Sequence, residues 1–218
     1  RLIMAYFEQP DGHGHNYGPQ DKRTGLVVEE MDSLVKTIWD DIQQLPIAAD
    51  VNFIVTSDHG MTSISNERTI PVMRYLKKEW IESVEGDLPG LIYARKGYVD
   101  SVVLALHDIP HLKVWKREDI PAYLHFGSNP MIGDVVALPE LGWLFTDKTV
   151  SSFGSHGFDP SYCDMHAMFR AVGPDFKQGY SKQQQFRNVD LYSLLSRLLG
   201  IIPAKNDGDI NEVKDLLK

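Results

Sequence analysis

Histidines and aspartates gather in three short glycine-containing segments of the chain. The first segment carries Asp11 and His15, the second carries Asp58 and His59, and the third carries His156 between two glycines. Imidazole nitrogens and carboxylate oxygens bind borderline divalent metals such as zinc at about 2.0–2.2 Å, and catalytic sites keep one position open for water or substrate. Taken singly, each aspartate could be a turn residue and His156 a solvated loop side chain. Their joint occurrence favours a metal centre.

The first two segments follow runs that are typical of strands. Residues 2–7 are continuously apolar, which predicts a strand buried on both faces, and residues 51–56 form a second run of this kind. Between them, apolar residues from Val27 to Leu45 recur at three- and four-residue spacing and predict an amphipathic helix that ends at Pro46. Such a strand, helix, strand unit is parallel by default. Ligands bind beyond the carboxyl ends of parallel strands, so we expect the metal-type residues to share one rim of a sheet.

The rest of the chain alternates shorter strand and helix patterns. Strands are predicted at 91–94, 112–115, 135–138 and 165–172, and helices at 99–107 and 191–199. Residues 139–163 are predicted to be mostly loop. No repeat or linker interrupts this pattern. The prediction is an α/β fold with a mostly parallel central sheet and flanking helices, in a single domain.

Composition excludes several classes of function. The 218 residues include 22 Lys and Arg against 30 Asp and Glu, a net charge of −8 without any basic run, which argues against nucleic acid as a partner. Cys163 is the single cysteine, so no intramolecular disulfide forms. No apolar stretch approaches the ~20 residues of a membrane span.

Three ordered motifs carry a resemblance to a known family. The stretch from Tyr6 to Pro19 resembles the Pro-Asp-x-x-Gly-His-x-x-Gly-Pro signature of the nucleotide pyrophosphatase/phosphodiesterase family, within the alkaline phosphatase superfamily. Residues 56–61 resemble its Ser-Asp-His-Gly-Met motif, and residues 154–159 resemble its His-Gly-Tyr-Asp segment. Shorter matches follow in order, at 116–121, 132–136, 165–166, 173–174 and 206–208. The resemblance spans nearly the whole chain and implies an alkaline phosphatase-like fold.

The resemblance implies a centre with two zinc ions. Asp11, His15 and His156 would hold one ion, and Asp58 and His59 would contribute to the other. Two such ions can stabilise both the attacking and the leaving oxygen of a phosphoryl displacement. The implied reaction is hydrolysis of nucleotide phosphodiester or pyrophosphate bonds through a covalent nucleotidyl-threonine.

The implied threonine and a further aspartate ligand have no matching positions in this chain. We therefore expect no catalytic nucleophile within it, and we expect residues 1–218 to be the C-terminal portion of a single phosphodiesterase catalytic domain, with the N-terminal segment of the same protein as its missing partner. Tyr6, five residues before Asp11, matches a position where the family places an aromatic ring against the nucleobase. Its alternative role is that of a core strand residue.

Other members of the same superfamily remain as alternatives. A phospholipid or choline phosphodiesterase, or a phosphomonoesterase, would use the same metal ligands on another small-molecule substrate. A third alternative is an inactive fragment that folds only with its N-terminal half. Family resemblance implies a periplasmic or secreted location, and the missing cysteine framework of animal extracellular members favours a bacterial source.

Overall fold

The computed structural model describes residues 1–218, which divide into two compact units. We call Gln9–Val28 with Gly60–His166 the sheet unit, and Arg1–Glu8, Glu29–His59 and Ala167–Lys218 the terminal unit. Both helices and sheets are present, so the α/β class is confirmed. None of the helices combines the length and apolar character that crossing a bilayer requires. The expectation of a single catalytic domain stays a prediction.

Four helices and ten strands make up the regular structure. The helices are α1 (Asp11–Tyr17), α2 (Lys22–Gln43), α3 (Val99–Leu106) and α4 (Asp190–Leu199). The strands are β1 (Phe53–Thr56), β2 (Thr62–Ser63), β3 (Thr69–Ile70), β4 (Ile81–Glu85), β5 (Gly90–Ala94), β6 (Leu112–Lys116), β7 (Val135–Pro139), β8 (Leu144–Phe145), β9 (Gly154–Ser155) and β10 (Phe169–Val172).

The sheet unit is organised around one four-stranded antiparallel sheet. Its strand order is β4-β5-β7-β6, and every residue of β7 is buried. The uninterrupted apolar sequence of β7 suits a central strand that is covered on both faces. Helix α3 packs against this sheet through Val102 and Leu106, both fully buried. Burying an aliphatic side chain of this size contributes about 1.5–3 kcal/mol, so the sheet and α3 form a stable core.

Short strand pairs connect the loops of the sheet unit. Strand β2 pairs antiparallel with β9, with Thr62 opposite Ser155 and Ser63 opposite Gly154. Strand β3 pairs with β8 in the one parallel ladder of the structure. The β2–β9 pair positions a candidate metal ligand, because β9 leads directly into His156.

The terminal unit has its own small core. Strand β1 pairs antiparallel with β10, and α4 ends at Gly200, whose left-handed backbone (φ 65°) lets its amide donate back to the last turn. Asp190 at the start of α4 is fully buried and accepts hydrogen bonds from the backbone amides of Arg187 and Asp209. The apolar residues at the centre of this core are Phe176, Leu194, Val213 and Leu216.

Most elements agree with the sequence-based predictions. The exceptions are the strand predicted at residues 2–7, the unit built on it, and the parallel pairing of the sheet. Residues 2–7 form no strand and lie largely in solvent, with Ile3 91% exposed, so the prediction of a buried strand is wrong. An apolar run becomes a strand only where a neighbouring strand accepts its backbone hydrogen bonds, and this run has none. The strand, helix, strand unit is therefore not formed, and β1 pairs with β10 instead. All pairings but β3–β8 are antiparallel, so the sheet is not mostly parallel within this chain.

Candidate metal centre

Helix α1 places two of the predicted ligands on one face. Residues 11–17 form two helical turns that begin after Pro10. Residues four apart on a helix lie above one another, so the spacing of Asp11 and His15 directs both side chains the same way. Asp11 Oδ1 lies 3.5 Å from His15 Nε2.

His156 completes a group of three. It follows β9, and its Nε2 atom lies 3.6 Å from the same Asp11 oxygen. The ring centroids of His15 and His156 are 5.1 Å apart, and one ligand atom from each of the three residues lies within 4.8 Å of the others. The structure thus brings together the three residues that sequence analysis assigned to one zinc ion. Their role as ligands stays a prediction.

The charge and hydrogen bonding of this group fit a divalent cation. Asp11 Oδ1 is buried and accepts no hydrogen bond, an unfavourable state for a carboxylate oxygen that a cation between the three residues would relieve. His15 Nδ1 lies 2.8 Å from the carbonyl oxygen of Gly154. A carbonyl only accepts, so Nδ1 carries the proton and the lone pair of Nε2 faces Asp11. The side chains of Asp11, His15 and His156 are each about one-third exposed, which leaves access for water or substrate.

His13 lies outside this group although it belongs to the same helix. Its Nδ1 atom is 2.9 Å from Gln9 Oε1, and its ring packs against Tyr17. Residues two apart on a helix point in different directions, which separates His13 from His15. His13 and His15 therefore lie on different faces of α1, and His15 is the one on the face with Asp11.

Helix α1 and the segment before His156 approach each other closely. The amide of Phe153 donates to the carbonyl of His15 at 2.8 Å. A Cβ atom on Gly154 would lie 2.4 Å from the carbonyl oxygen of Gly14, and one on Gly14 would lie 2.4 Å from Met61 Sδ. Glycine at these two positions permits the contact that brings His15 and His156 together.

Asp58 and His59 lie in the terminal unit. His59 Nε2 is 3.5 Å from Asp58 Oδ2, and the His59 amide donates to Asp58 Oδ1 at 3.1 Å. The side chains are 28% exposed for His59 and 65% exposed for Asp58. Both offer ligand atoms on an accessible turn, and their part in a second metal site stays a prediction.

Tyr6 also lies in the terminal unit, and it is 79% exposed. It belongs to no strand and to no core, so the alternative role as a core strand residue is wrong. Its ring is available for stacking. The substrate-binding role stays a prediction.

A buried aspartate close to the group was not singled out by sequence analysis. Asp159 is 2% exposed, and its Oδ2 atom accepts from Lys113 Nζ at 3.2 Å and from the Tyr123 hydroxyl at 2.6 Å. Its Oδ1 atom accepts from the Ser161 amide at 3.0 Å. Burial raises the pKa of Asp159, but the hydrogen bonds from Tyr123, Ser161 and Lys113 outweigh it and lower the pKa to about 2. Asp159 is thus a fully paired carboxylate three residues after His156.

A cavity of about 410 Å³ adjoins His15 and His156 within the sheet unit. Its lining is rich in hydroxyl groups and also includes one lysine, one aspartate and several aliphatic side chains; the polar residues are Asp87, Thr146, Lys148, Thr149, Ser151, Ser152 and Ser155. Such a lining offers hydrogen-bond donors and acceptors, with one positive and one negative charge. The cavity suits a polar group next to the candidate metal ligands.

Comparison with known proteins identifies the family. The family model for type I phosphodiesterase/nucleotide pyrophosphatase matches residues 1–159. The chain belongs to this family. The resemblance drawn from the motifs is therefore confirmed, and the matched residues contain Asp11, His15 and His156.

Individual members of the phosphodiesterase family align with the whole chain. Ectonucleotide pyrophosphatase/phosphodiesterase family member 7 of Rattus norvegicus is 34% identical over 227 residues, which cover 100% of this chain and 51% of that protein. The human bis(5'-adenosyl)-triphosphatase is 30% identical over 218 residues, 99% of this chain and 48% of that protein. The chain thus spans about half the length of the curated relatives it matches.

A solved structure of the family confirms the fold. An inactive variant of murine ectonucleotide pyrophosphatase/phosphodiesterase 5, in complex with AMP, superimposes with a TM-score of 0.90 and 34% identity over 98% of this chain and 57% of that one. The alkaline phosphatase-like α/β fold is confirmed by this agreement. These relatives come from animals, and a bacterial source for this chain stays a prediction.

Proposed function

We propose that the whole protein is a zinc-dependent hydrolase of nucleotide phosphodiester and pyrophosphate bonds. The observation that carries this proposal is the buried, unbonded Asp11 Oδ1, which lies 3.5 Å from His15 Nε2 and 3.6 Å from His156 Nε2. Family membership supports the reaction class, and relatives named for nucleotide pyrophosphates and diadenosine triphosphate support a nucleotide substrate.

The proposed ligands divide into two sets. Asp11, His15 and His156 would hold one zinc ion, and Asp58 and His59 would contribute to a second. When bound, zinc would act as a Lewis acid that polarises a phosphoryl oxygen and stabilises developing negative charge. Asp11 supplies the anionic ligand of the first set, and the hydrogen bond from His15 Nδ1 to Gly154 keeps the His15 ring oriented toward it.

Two further features of the chain, each considered by itself, support a nucleotide substrate. The cavity is lined by hydroxyl groups together with Lys148 and Asp87, and it offers hydrogen bonds to a polar, phosphate-bearing group. The exposed ring of Tyr6 offers a stacking surface for a nucleobase.

The family resemblance also supports a covalent nucleotidyl-threonine in the reaction of the whole protein. We assign no nucleophile to residues 1–218, and we place these residues within a single phosphodiesterase catalytic domain. Relatives named as ectonucleotide enzymes support a location outside the cytoplasm.

The test of this function compares substrates and variants of the whole protein. A chromogenic thymidine monophosphate diester, the matched phosphate monoester and a chromogenic phosphocholine ester are assayed in parallel. We expect strong preference for the nucleotide diester, its loss in His156→Ala, and its retention in His13→Ala. Preference for the monoester would indicate a phosphatase, and preference for the phosphocholine ester would indicate a choline phosphodiesterase; either result contradicts the proposal.

A further inference from the structure

The segment that carries His156 is held at both ends. At its start, Phe153 donates to the His15 carbonyl and Gly154 accepts from the His15 ring. At its end, Phe158 is 4% exposed in an apolar cluster, and Asp159 is 2% exposed with every hydrogen bond made inside the sheet unit. His156 lies between these two attachments.

The polar attachment reaches the main sheet of the unit. Lys113 lies on β6 of the four-stranded sheet, and Tyr123 lies on the short 3-10 helix Ala122–Leu124 that follows this strand. Asp159 accepts from both side chains through one oxygen. A buried carboxylate that is paired and hydrogen-bonded holds its position tightly, because moving it would leave a charge without partners. The sheet thus restrains the backbone three residues beyond His156.

The position of this segment affects two candidate ligands rather than one. His156 moves with the segment directly. His15 depends on it through the hydrogen bond to Gly154, which sets the ring orientation and the protonated nitrogen. Partners behind the ligands of a metal site commonly change metal affinity by 10–100-fold, because they orient the ligating rings.

We propose that Asp159, held by Lys113 and Tyr123, is a positioning residue that keeps His156 and His15 in the geometry needed to bind the metal ion. This inference rests on the metal centre of the proposed function. Asp159 acts through the segment between Gly154 and Ser161, which its hydrogen bonds hold in place.

The direct test is Asp159→Asn in the whole protein, with zinc affinity measured by competition against a chromogenic chelator. Asparagine keeps the shape of the side chain, but its single acceptor oxygen cannot serve all the donors that now approach the two carboxylate oxygens. We expect about 10-fold weaker zinc binding or more. Tyr123→Phe removes one donor and keeps the ring, so we expect a smaller but measurable loss of zinc affinity.

Asp190→Asn is the matched control. Asp190 is also a fully buried aspartate that accepts backbone amide hydrogen bonds, but it lies in the core of the terminal unit. We expect it to lower the melting temperature while leaving zinc affinity unchanged. Excess zinc should restore hydrolysis of the nucleotide diester by Asp159→Asn. It should leave the difference in melting temperature between Asp190→Asn and the wild type unchanged, because both bind zinc equally well.

The possible results separate this inference from the proposed function. Wild-type zinc affinity in Asp159→Asn, or an equal loss of affinity in Asp190→Asn, overturns the positioning role and leaves the metal centre standing. A wild-type protein that binds no zinc overturns the metal centre and the inference with it. If Asp159→Asn does not fold, unchanged zinc affinity in Tyr123→Phe overturns the inference, and the expected loss supports it.

Discussion

The imidazole of His15 donates a 2.8 Å hydrogen bond to the carbonyl of Gly154, a residue 139 positions further along the chain. This bond joins helix α1 to the segment that carries His156. It also leaves Nε2 of His15 as the unprotonated nitrogen facing Asp11. One backbone carbonyl thus links the two histidines of the candidate metal centre.

His15→Ala is expected to weaken zinc binding by the whole protein at least about 100-fold, because it removes a ligand rather than a supporting partner. His13→Ala, on the same helix, is the control and should bind zinc like the wild type, since His13 pairs with Gln9 and faces away. Equilibrium dialysis followed by metal analysis measures both. Equal zinc retention in the two variants would contradict the assignment of His15.

Gly154→Ala is expected to separate α1 from the His156 segment. The added Cβ would meet the Gly14 carbonyl oxygen at 2.4 Å, and a backbone atom cannot rotate away as a side chain would. We expect a loss of about 1–3 kcal/mol in the free energy of unfolding, together with weaker zinc binding.

Gly25→Ala is the control for this steric argument. A Cβ at Gly25 meets nothing within 4 Å and lies inside helix α2. Alanine is the better helix former, so we expect a gain of about 0.5–1 kcal/mol and unchanged zinc affinity. Urea titrations measure the free energy of unfolding of both variants. An unchanged free energy of unfolding in Gly154→Ala would show that Gly154 and the Gly14 carbonyl are not in tight contact.

The group of three candidate metal ligands could be predicted from sequence because each residue lies in a short motif. Asp11 and His15 are four residues apart and His156 lies between glycines, and the resemblance of both motifs to those of the family implied that the three residues belong together. The same holds for β7, whose apolar sequence matches its complete burial.

The Asp159 network could not be predicted, because its partners are distant in sequence. Lys113 and Tyr123 lie 46 and 36 residues away, and each is an ordinary surface residue type without a local signal. The apolar residues 2–7 failed as a strand for a related reason, since strand formation depends on a neighbour that the local pattern does not reveal. Composition and periodicity thus predict helices, buried strands and short motifs. The pairing of strands and of side chains that are distant in sequence cannot be predicted from them.

Acidification should reduce the stability of the wild type more than that of Asp159→Asn. The pKa of Asp159 is about 2 in the folded state, below its ordinary value of 3.8, so the ionised group stabilises the fold above pH 3.8. That contribution is lost as the pH falls through the folded pKa, and the asparagine variant does not have it at any pH.

Urea unfolding at a series of pH values from about 6 to about 2 measures this difference. The gap in unfolding free energy between wild type and Asp159→Asn should narrow toward the acid end. The unfolding free energy of Tyr123→Phe should depend on pH to an intermediate extent, because the Tyr123 hydrogen bond is one of those that lower the pKa of Asp159. A gap that stays constant with pH would contradict the folded-state pKa.

Tyr6→Ala is expected to raise KM for a nucleotide diester about 5- to 160-fold, the range that follows from ~1–3 kcal/mol for stacking of one base on an aromatic ring. Tyr6→Phe keeps the ring and should retain the wild-type KM. The melting temperature should not change in either variant, since Tyr6 is 79% exposed. An unchanged KM in Tyr6→Ala would remove Tyr6 from the substrate site.

The most direct measurement of the central claim is anomalous X-ray diffraction at the zinc absorption edge, from crystals of the whole protein grown with zinc. The account predicts a strong anomalous peak about 2.0–2.2 Å from a carboxylate oxygen of Asp11 and from the Nε2 atoms of His15 and His156. Density for these three side chains without an anomalous peak among them, in crystals that bind zinc elsewhere, would contradict it.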